Sequence, residues 1–176
     1  LSVEDRRFRS HFGLDPVGIG RAAWANWRAG TVVQGGSTIT QQLAKNLFLK
    51  PDRTITRKLE ELIYAVWLEQ RFSKDEILEL YLNRVYFGGG TYGVEAAARH
   101  YFGRSARDVS LAQSAMLAGL LKAPSRYAPT RSVRAASTRA QVVLDNMVEA
   151  GFITEATARK VAAQPLKLRA KGDDTG

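Results

Sequence analysis

Thr54-Ile55-Thr56-Arg57-Lys58-Leu59-Glu60-Glu61-Leu62-Ile63-Tyr64-Ala65-Val66-Trp67-Leu68-Glu69-Gln70-Arg71 reads as one continuous helix, and its two halves have different characters. Residues 62–68 are apolar on every side, the pattern of a helix buried at the centre of a domain. In the first half Arg57 and Glu61 stand at i and i+4 with Lys58 beside them, away from the stripe of Leu59, Leu62, Ile63 and Val66. Two readings of that charged group stand side by side. One is a surface salt bridge worth about 0.3–0.5 kcal/mol. The other is a cleft-lining carboxylate, since Glu61 directly precedes the apolar segment.

Helix signals continue in both directions and strand signals hardly occur. Upstream, Asp15 is the expected N-cap before Pro16, with a helix through Trp27 and Gly30 at its end. A second helix follows Gly35-Gly36-Ser37, runs from about Thr38 to Lys50 and is stopped by Pro51, with Thr38 and Gln41 spaced as a capping box. Downstream, Ser73 with Glu76 and Ser110 with Gln113 are further capping boxes, opening helices that reach about Tyr86 and Leu121. Between them residues 92–102 read as helix closed by Gly103. After the turn-rich residues 124–129, a helix from about Val133 ends at Gly151, and Thr154 caps a short one that stops before Pro165. A strand hairpin has room only at residues 31–34 or 86–91. The sequence therefore implies one compact, mainly α-helical domain over residues 1–165, followed by a linker or disordered tail over residues 166–176.

Composition bounds the function without choosing it. The chain has 176 residues and an apolar fraction of 45%, enough for a real core. Lysine and arginine number 26 against 17 acidic residues, and the net charge of +9 favours polyanionic partners: nucleic acid, anionic lipid head groups or phosphorylated substrates. The longest apolar runs, residues 62–68 and 115–121, are far short of the roughly 20 residues that span a bilayer. No cysteine is present, so there is no disulfide framework and no thiol metal site. The chain opens at Leu1 inside what proves to be a motif, so an upstream segment is expected.

On the second helix Thr38, Gln41, Gln42 and Lys45 fall on one stripe at 100° per residue, while Ile39, Leu43 and Leu47 take the far side. A polar stripe is ordinarily a solvated face. Here it begins at a Gly-Gly-Ser-Thr terminus, where unpaired backbone N–H groups and the positive end of the helix dipole favour an anion. Glu4-Asp5-Arg6-Arg7-Phe8 with His11 sets acids beside basic and aromatic residues in a segment without periodicity. Two histidines and no cysteine make no zinc pattern, and no structural metal is expected. Trp24 and Trp27, at i and i+3 with Arg21 and Arg28 nearby, suit either core packing or a lipid interface.

Taken in order, these residues resemble glycosyltransferase family 51, the peptidoglycan glycosyltransferases of class A penicillin-binding proteins. Glu4-Asp5-Arg6-Arg7-Phe8 through His11 and Gly13 resembles the first signature of that family. Gly35-Gly36-Ser37-Thr38-Ile39-Thr40-Gln41-Gln42-Leu43-Ala44-Lys45-Asn46 resembles the second, Arg57-Lys58-Leu59-Glu60-Glu61 the third, and Lys74-Asp75-Glu76-Ile77-Leu78-Glu79-Leu80-Tyr81-Leu82-Asn83 the fourth.

The resemblance implies a lysozyme-like fold of two lobes, a larger head and a smaller membrane-apposed jaw in which Trp24 and Trp27 make sense. It implies lipid II, a disaccharide-pentapeptide on polyprenyl pyrophosphate, as substrate and a growing β-1,4-linked glycan strand as product. Glu4 is then the catalytic base of an inverting displacement. Lys45 and Arg53 contact the pyrophosphate, Ser37, Gln41, Gln42 and Asn46 line the groove, and Arg57 and Lys58 add positive potential. Glu61 is the second essential carboxylate, near the leaving group, where a divalent cation such as Mg²⁺ or Mn²⁺ is one way for it to act. No organic cofactor is implied. Location at the extracytoplasmic face of the bacterial cytoplasmic membrane follows, anchored by an upstream segment. No Ser-x-x-Lys occurs, so a penicillin-binding transpeptidase centre is expected only in a fused downstream domain.

Three other readings compete with this one. A lysozyme-like hydrolase or lytic transglycosylase also uses two carboxylates, but it leaves Lys45, Arg53, Arg57 and Lys58 without a common purpose. A helical nucleic-acid-binding module fits the charge, yet no DNA- or RNA-reading motif is present and nucleic acid is not an expected partner. A non-catalytic scaffold is disfavoured because the motif acids and bases are all in place.

Overall fold

A computed structural model describes residues 1, 3–32, 35–49 and 54–169. The chain divides into two compact units, one formed by Val3–Arg84 and the other by Val85–Gly176. Helices dominate both, as the periodicity implies.

The first unit holds α1 (Pro16–Ala29), α2 (Ile39–Phe48), α3 (Ile55–Arg71) and α4 (Lys74–Arg84). Each begins where local chemistry says it should. Thr38 and Gln41 make both bonds of the capping box, and Ser73 and Glu76 do the same ahead of α4. Thr54 accepts from Arg57 N and opens α3. Asp15 stands at the N-cap of α1 without a capping hydrogen bond, and a proline at the start of that helix needs one donor fewer. α2 packs on α3 and α4, burying Ile39, Leu43, Ala44, Ala65, Leu68, Ile77 and Tyr81 together with Phe8 from the N-terminal turns.

One expectation is overturned here. Residues 62–68 are not enclosed: Ile63 is 68% exposed, and Tyr64 and Trp67 are exposed too. Ala65 and Leu68 face the core with Glu61, while Ile55, Leu59 and Ile63, spaced at i, i+4 and i+8, lie outward. Phe48 stacks on Tyr64 with ring centroids 4.7 Å apart and meets Trp67 edge-on at 6.0 Å. An all-round apolar segment satisfies the core with one face and leaves the rest as exposed apolar surface.

The second unit begins with a hairpin of β1 (Tyr86–Gly88) and β2 (Thr91–Tyr92), antiparallel with Tyr86 opposite Tyr92 and Gly88 opposite Thr91. This is the second of the two hairpin positions left open by the sequence. It shortens the following helix: α5 runs Val94–Phe102, with Tyr92 in the strand. Gly88 has φ +84°, and a Cβ there would lie 2.7 Å from the Pro124 carbonyl oxygen, so both backbone and space demand glycine. α6 (Leu111–Leu120), α7 (Pro124–Tyr127), α8 (Val133–Glu149) and α9 (Glu155–Ala162) complete the unit. The turn-rich residues 124–129 thus contain one short helix. α6 opens on the Ser110–Gln113 capping box and packs against α8 over Met116, Leu120, Ala136, Ala140, Val143 and Leu144. Gly119 sits at this crossing, where a Cβ would meet Arg139 Cγ at 2.9 Å. The first residues of the expected tail are tied to this unit, Gln113 Nε2 donating to the Lys167 carbonyl at 3.2 Å and Arg169 N to the Tyr101 carbonyl at 2.8 Å.

Candidate active site

The first motif folds as a run of turns rather than a helix, and Phe8 anchors it. That ring is fully buried, with the Lys74 ammonium 4.7 Å from its centroid. Lys74 also pairs with Glu69 at 2.7 Å, and the same Glu69 oxygen accepts from the Thr40 hydroxyl at 2.7 Å, joining α2, α3 and α4 beneath the motif.

The two adjacent acids then separate in role. Asp5 is buried, its carboxylate accepting from His11 Nε2 at 2.8 Å and from the Ile39 backbone N–H at 3.0 Å. His11 is a hydrogen-bonding partner of Asp5. Glu4 is half-buried and accepts from Gln42 Nε2 at a long 3.5 Å. Of the pair, Glu4 keeps the more accessible carboxylate.

The start of α2, where the sequence leaves room for an anion, already holds one from the protein itself. The first backbone donor of the helix is taken by Asp5, Gln41 N is taken by Thr38 Oγ1, and the Thr38 hydroxyl itself donates to the Gly13 carbonyl at 2.7 Å. The anion favoured by the helix dipole is the protein's own carboxylate. Gln41, expected to line a groove, is buried and gives its amide oxygen to Thr38 N at 3.1 Å, so its position on the polar stripe serves the cap.

A second cluster forms at the start of α3. Glu61 is 3% exposed and pairs with Lys58 Nζ, and Arg57 Nη2 lies 3.8 Å from its other oxygen. Lys58 Nζ also donates to Ser37 Oγ at 3.0 Å, which brings the second and third motifs together. The surface-salt-bridge reading fails for Glu61, because the carboxylate is inside while Lys58 remains half exposed. Both Glu61 oxygens face cations. Among the described residues no three His, Cys, Asp or Glu side chains gather as metal ligands. A divalent cation at Glu61 would therefore have to complete its coordination with oxygens of a bound substrate, the usual manner of Mg²⁺. Lys45 and Asn46 are exposed on α2, and Arg53 lies outside the described residues.

Tyr81 belongs to this site although the sequence reading gave it no role. On α4 its ring is buried among core residues, and its hydroxyl donates to Gln42 Oε1 at 3.1 Å. Burial pushes the phenol pKa well above its usual value, and the Glu4 charge pushes it further. The sequence signal was its place in the fourth motif one turn after Ile77, a spacing shared by any core tyrosine.

Trp24 and Trp27 are 61% and 74% exposed, with ring centroids 5.2 Å apart, which rules out core packing for either. Among the described residues no helix is long and apolar enough to cross a membrane.

The chain is similar to several known proteins. Penicillin-binding protein 1A of Aquifex aeolicus is 50% identical over 169 residues, 96% of this chain and 23% of that protein. Its namesake in Escherichia coli is 50% identical over 155 residues, 88% of this chain and 18% of that one. The chain thus spans about a fifth of the length of such relatives. The crystal structure of penicillin-binding protein 1A from Haemophilus influenzae matches with a TM-score of 0.53 at 30% identity, covering 74% of this chain and 16% of that one. The family described as transglycosylase matches residues 1–148, which span all four motifs, and the chain belongs to that family.

Proposed function

We propose that the chain polymerises lipid II into β-1,4-linked glycan strands, with Glu4 as general base. The observation that carries this reading is the division of labour between Glu4 and Asp5. Asp5 spends its charge on the fold, and Glu4 keeps a half-open carboxylate beside α2.

The reaction needs a base and a cationic cradle. As the acceptor hydroxyl attacks the anomeric carbon of the donor, its proton passes to Glu4, the new C–O bond forms, and the bond to pyrophosphate breaks on the opposite side. Inversion converts the α-linked donor into a β-linked product. Lys45, Arg57 and Lys58 supply positive charge for the departing pyrophosphate. Glu61 holds Lys58 and Arg57 in place. A hydrolase reading leaves these cations without a task.

The exposed Trp24 and Trp27 suit a lipid–water interface, where indole rings are favoured. The outward Ile55, Leu59 and Ile63 offer the same kind of surface. A lipid-held substrate puts the work at a membrane surface, the extracytoplasmic one by likeness to class A penicillin-binding proteins, and relatives four to five times longer are consistent with a fused transpeptidase domain.

The test is incubation of the purified chain with labelled lipid II in detergent, with and without divalent cation, alongside Glu4→Gln. Polymer from the unaltered chain and none from a folded Glu4→Gln protein is the expected result. Polymer from both removes Glu4 as the base, and shortening of preformed glycan without use of lipid II establishes hydrolysis instead.

A further inference from the structure

We infer that Tyr81 is a positioning residue that sets the orientation of Glu4 through the side-chain amide of Gln42. The inference rests on Glu4 being the base, as proposed above.

Three side chains from three segments lie in series. The Tyr81 hydroxyl on α4 donates to Gln42 Oε1 at 3.1 Å, and Gln42 Nε2 on α2 donates to Glu4 Oε2 at 3.5 Å. Chemistry fixes the direction of the series. An ionised carboxylate only accepts, so Gln42 must turn its NH₂ toward Glu4 and its oxygen toward α4. The opposite flip sets an amide oxygen against a carboxylate. The terminal torsion of glutamine is broad and nearly two-fold, so the amide does not hold this orientation unaided. In the productive flip the Tyr81 hydroxyl donates to the amide oxygen and fixes its place; in the other flip it could only accept from the NH₂, while the amide oxygen faced the Glu4 carboxylate.

The anchor is rigid where rigidity is needed. Tyr81 is 1% exposed, one turn beyond the fully buried Ile77. Burial and the nearby Glu4 charge keep the phenol protonated, hence a donor, throughout the neutral range. The Gln42–Glu4 contact is long, and catalytic hydrogen bonds of this kind tighten when the reacting groups are in place. Because Gln42 engages Oε2, Oε1 is the oxygen left to face the acceptor. In the transfer the acceptor O–H bond breaks, an Oε1–H bond forms, and Gln42 continues to donate to Oε2.

The test compares steady-state polymerisation of lipid II by the unaltered chain, Tyr81→Phe, Gln42→Leu, their combination and Glu4→Gln, with a thermal melt of each. Misorientation of a catalytic group by a fraction of an ångström is expected to lower kcat about tenfold in Tyr81→Phe, with KM within about twofold. The double variant should be no slower than Gln42→Leu, because Tyr81 acts through that residue. A Tyr81→Phe protein with unaltered kcat overturns the inference, as does a double variant whose loss is the product of the two single losses. Should Tyr81→Phe melt below the assay temperature, all rates are compared at a lower temperature where it is folded, and an unaltered kcat in Gln42→Leu ends the series in any case. An active Glu4→Gln protein defeats the base assignment itself. An inactive Glu4→Gln with a fully active Tyr81→Phe defeats only the positioning role.

Discussion

The Asp5 carboxylate accepts the backbone N–H of Ile39 at 3.0 Å, which fastens the residue next to Glu4 to the first turn of α2. The same oxygen holds His11 Nε2 at 2.8 Å. Asp5→Ala strands both donors in a buried setting and should cost about 2–4 kcal/mol. Urea denaturation of the two proteins measures it, and a loss below about 1 kcal/mol contradicts the anchoring role.

Neighbouring glutamines should separate cleanly. Gln41 is buried in the capping box, so Gln41→Ala should lower stability by about 1 kcal/mol while a folded sample keeps its kcat. Gln42→Ala should reduce turnover, with a melt lowered by about 1 kcal/mol because the buried Tyr81 hydroxyl loses its acceptor. The pair of melts and rates decides it, and equal effects on turnover at the two positions would contradict the division.

Lys58→Ala leaves the buried Glu61 carboxylate with Arg57 at 3.8 Å as its remaining ion-pair partner. Removing one partner of a buried charge is costly, but Lys58 is half exposed and solvent discounts the loss, so about 1–2 kcal/mol is expected. Turnover should fall with it. Denaturation of Lys58→Ala beside Lys58→Arg tests this, since arginine should restore most of the stability.

Trp24→Ala and Trp27→Ala remove rings that are largely in solvent, so the melt should move by no more than about 0.5 kcal/mol equivalent. Binding to vesicles of mixed neutral and anionic lipid should weaken at least severalfold if these rings sit at a lipid surface. Co-sedimentation measures it. Unchanged binding in the double variant would detach these residues from any membrane role.

Glu95 carries a pH dependence. The Ala106 backbone N–H holds its carboxyl below the ordinary value, partial desolvation opposes that shift, and the Ser105 hydroxyl and Arg99 reinforce it. A carboxyl whose folded pKa is depressed adds stability that is complete above its unfolded pKa and is lost as pH falls through the folded one. Glu95→Gln should therefore be less stable than the unaltered chain at pH 7, and the gap should narrow as pH drops below about 4.5, the ordinary glutamate value. Melts across that range check the sign; a gap that widens on acidification refutes it.

What the sequence determined alone is what short-range chemistry controls. The Thr38–Gln41, Ser73–Glu76 and Ser110–Gln113 capping boxes all form, because partners three residues apart meet as soon as a helix starts. The Gly30 and Gly103 helix ends are likewise local, each adopting the left-handed conformation that glycine tolerates. The order of the four motifs carried the family, and with it Glu4 and Glu61 as the acids to examine.

Tertiary structure decided which of those groups face one another and which face water. Residues 62–68 gave no sign that Ile63 and Trp67 stay exposed, since periodicity names a helix's apolar sides but not how many are covered. Glu61 is buried on the very turn where a solvated salt bridge was an equal reading. Asp5 and Glu4 are chemically alike and adjacent; only the approach of α2, 34 positions away in the Asp5–Ile39 bond, made one a structural anchor and left the other open. Tyr81 meets Gln42 across 39 positions. Contacts at such separations depend on how helices pack, which no local pattern of residues encodes by itself.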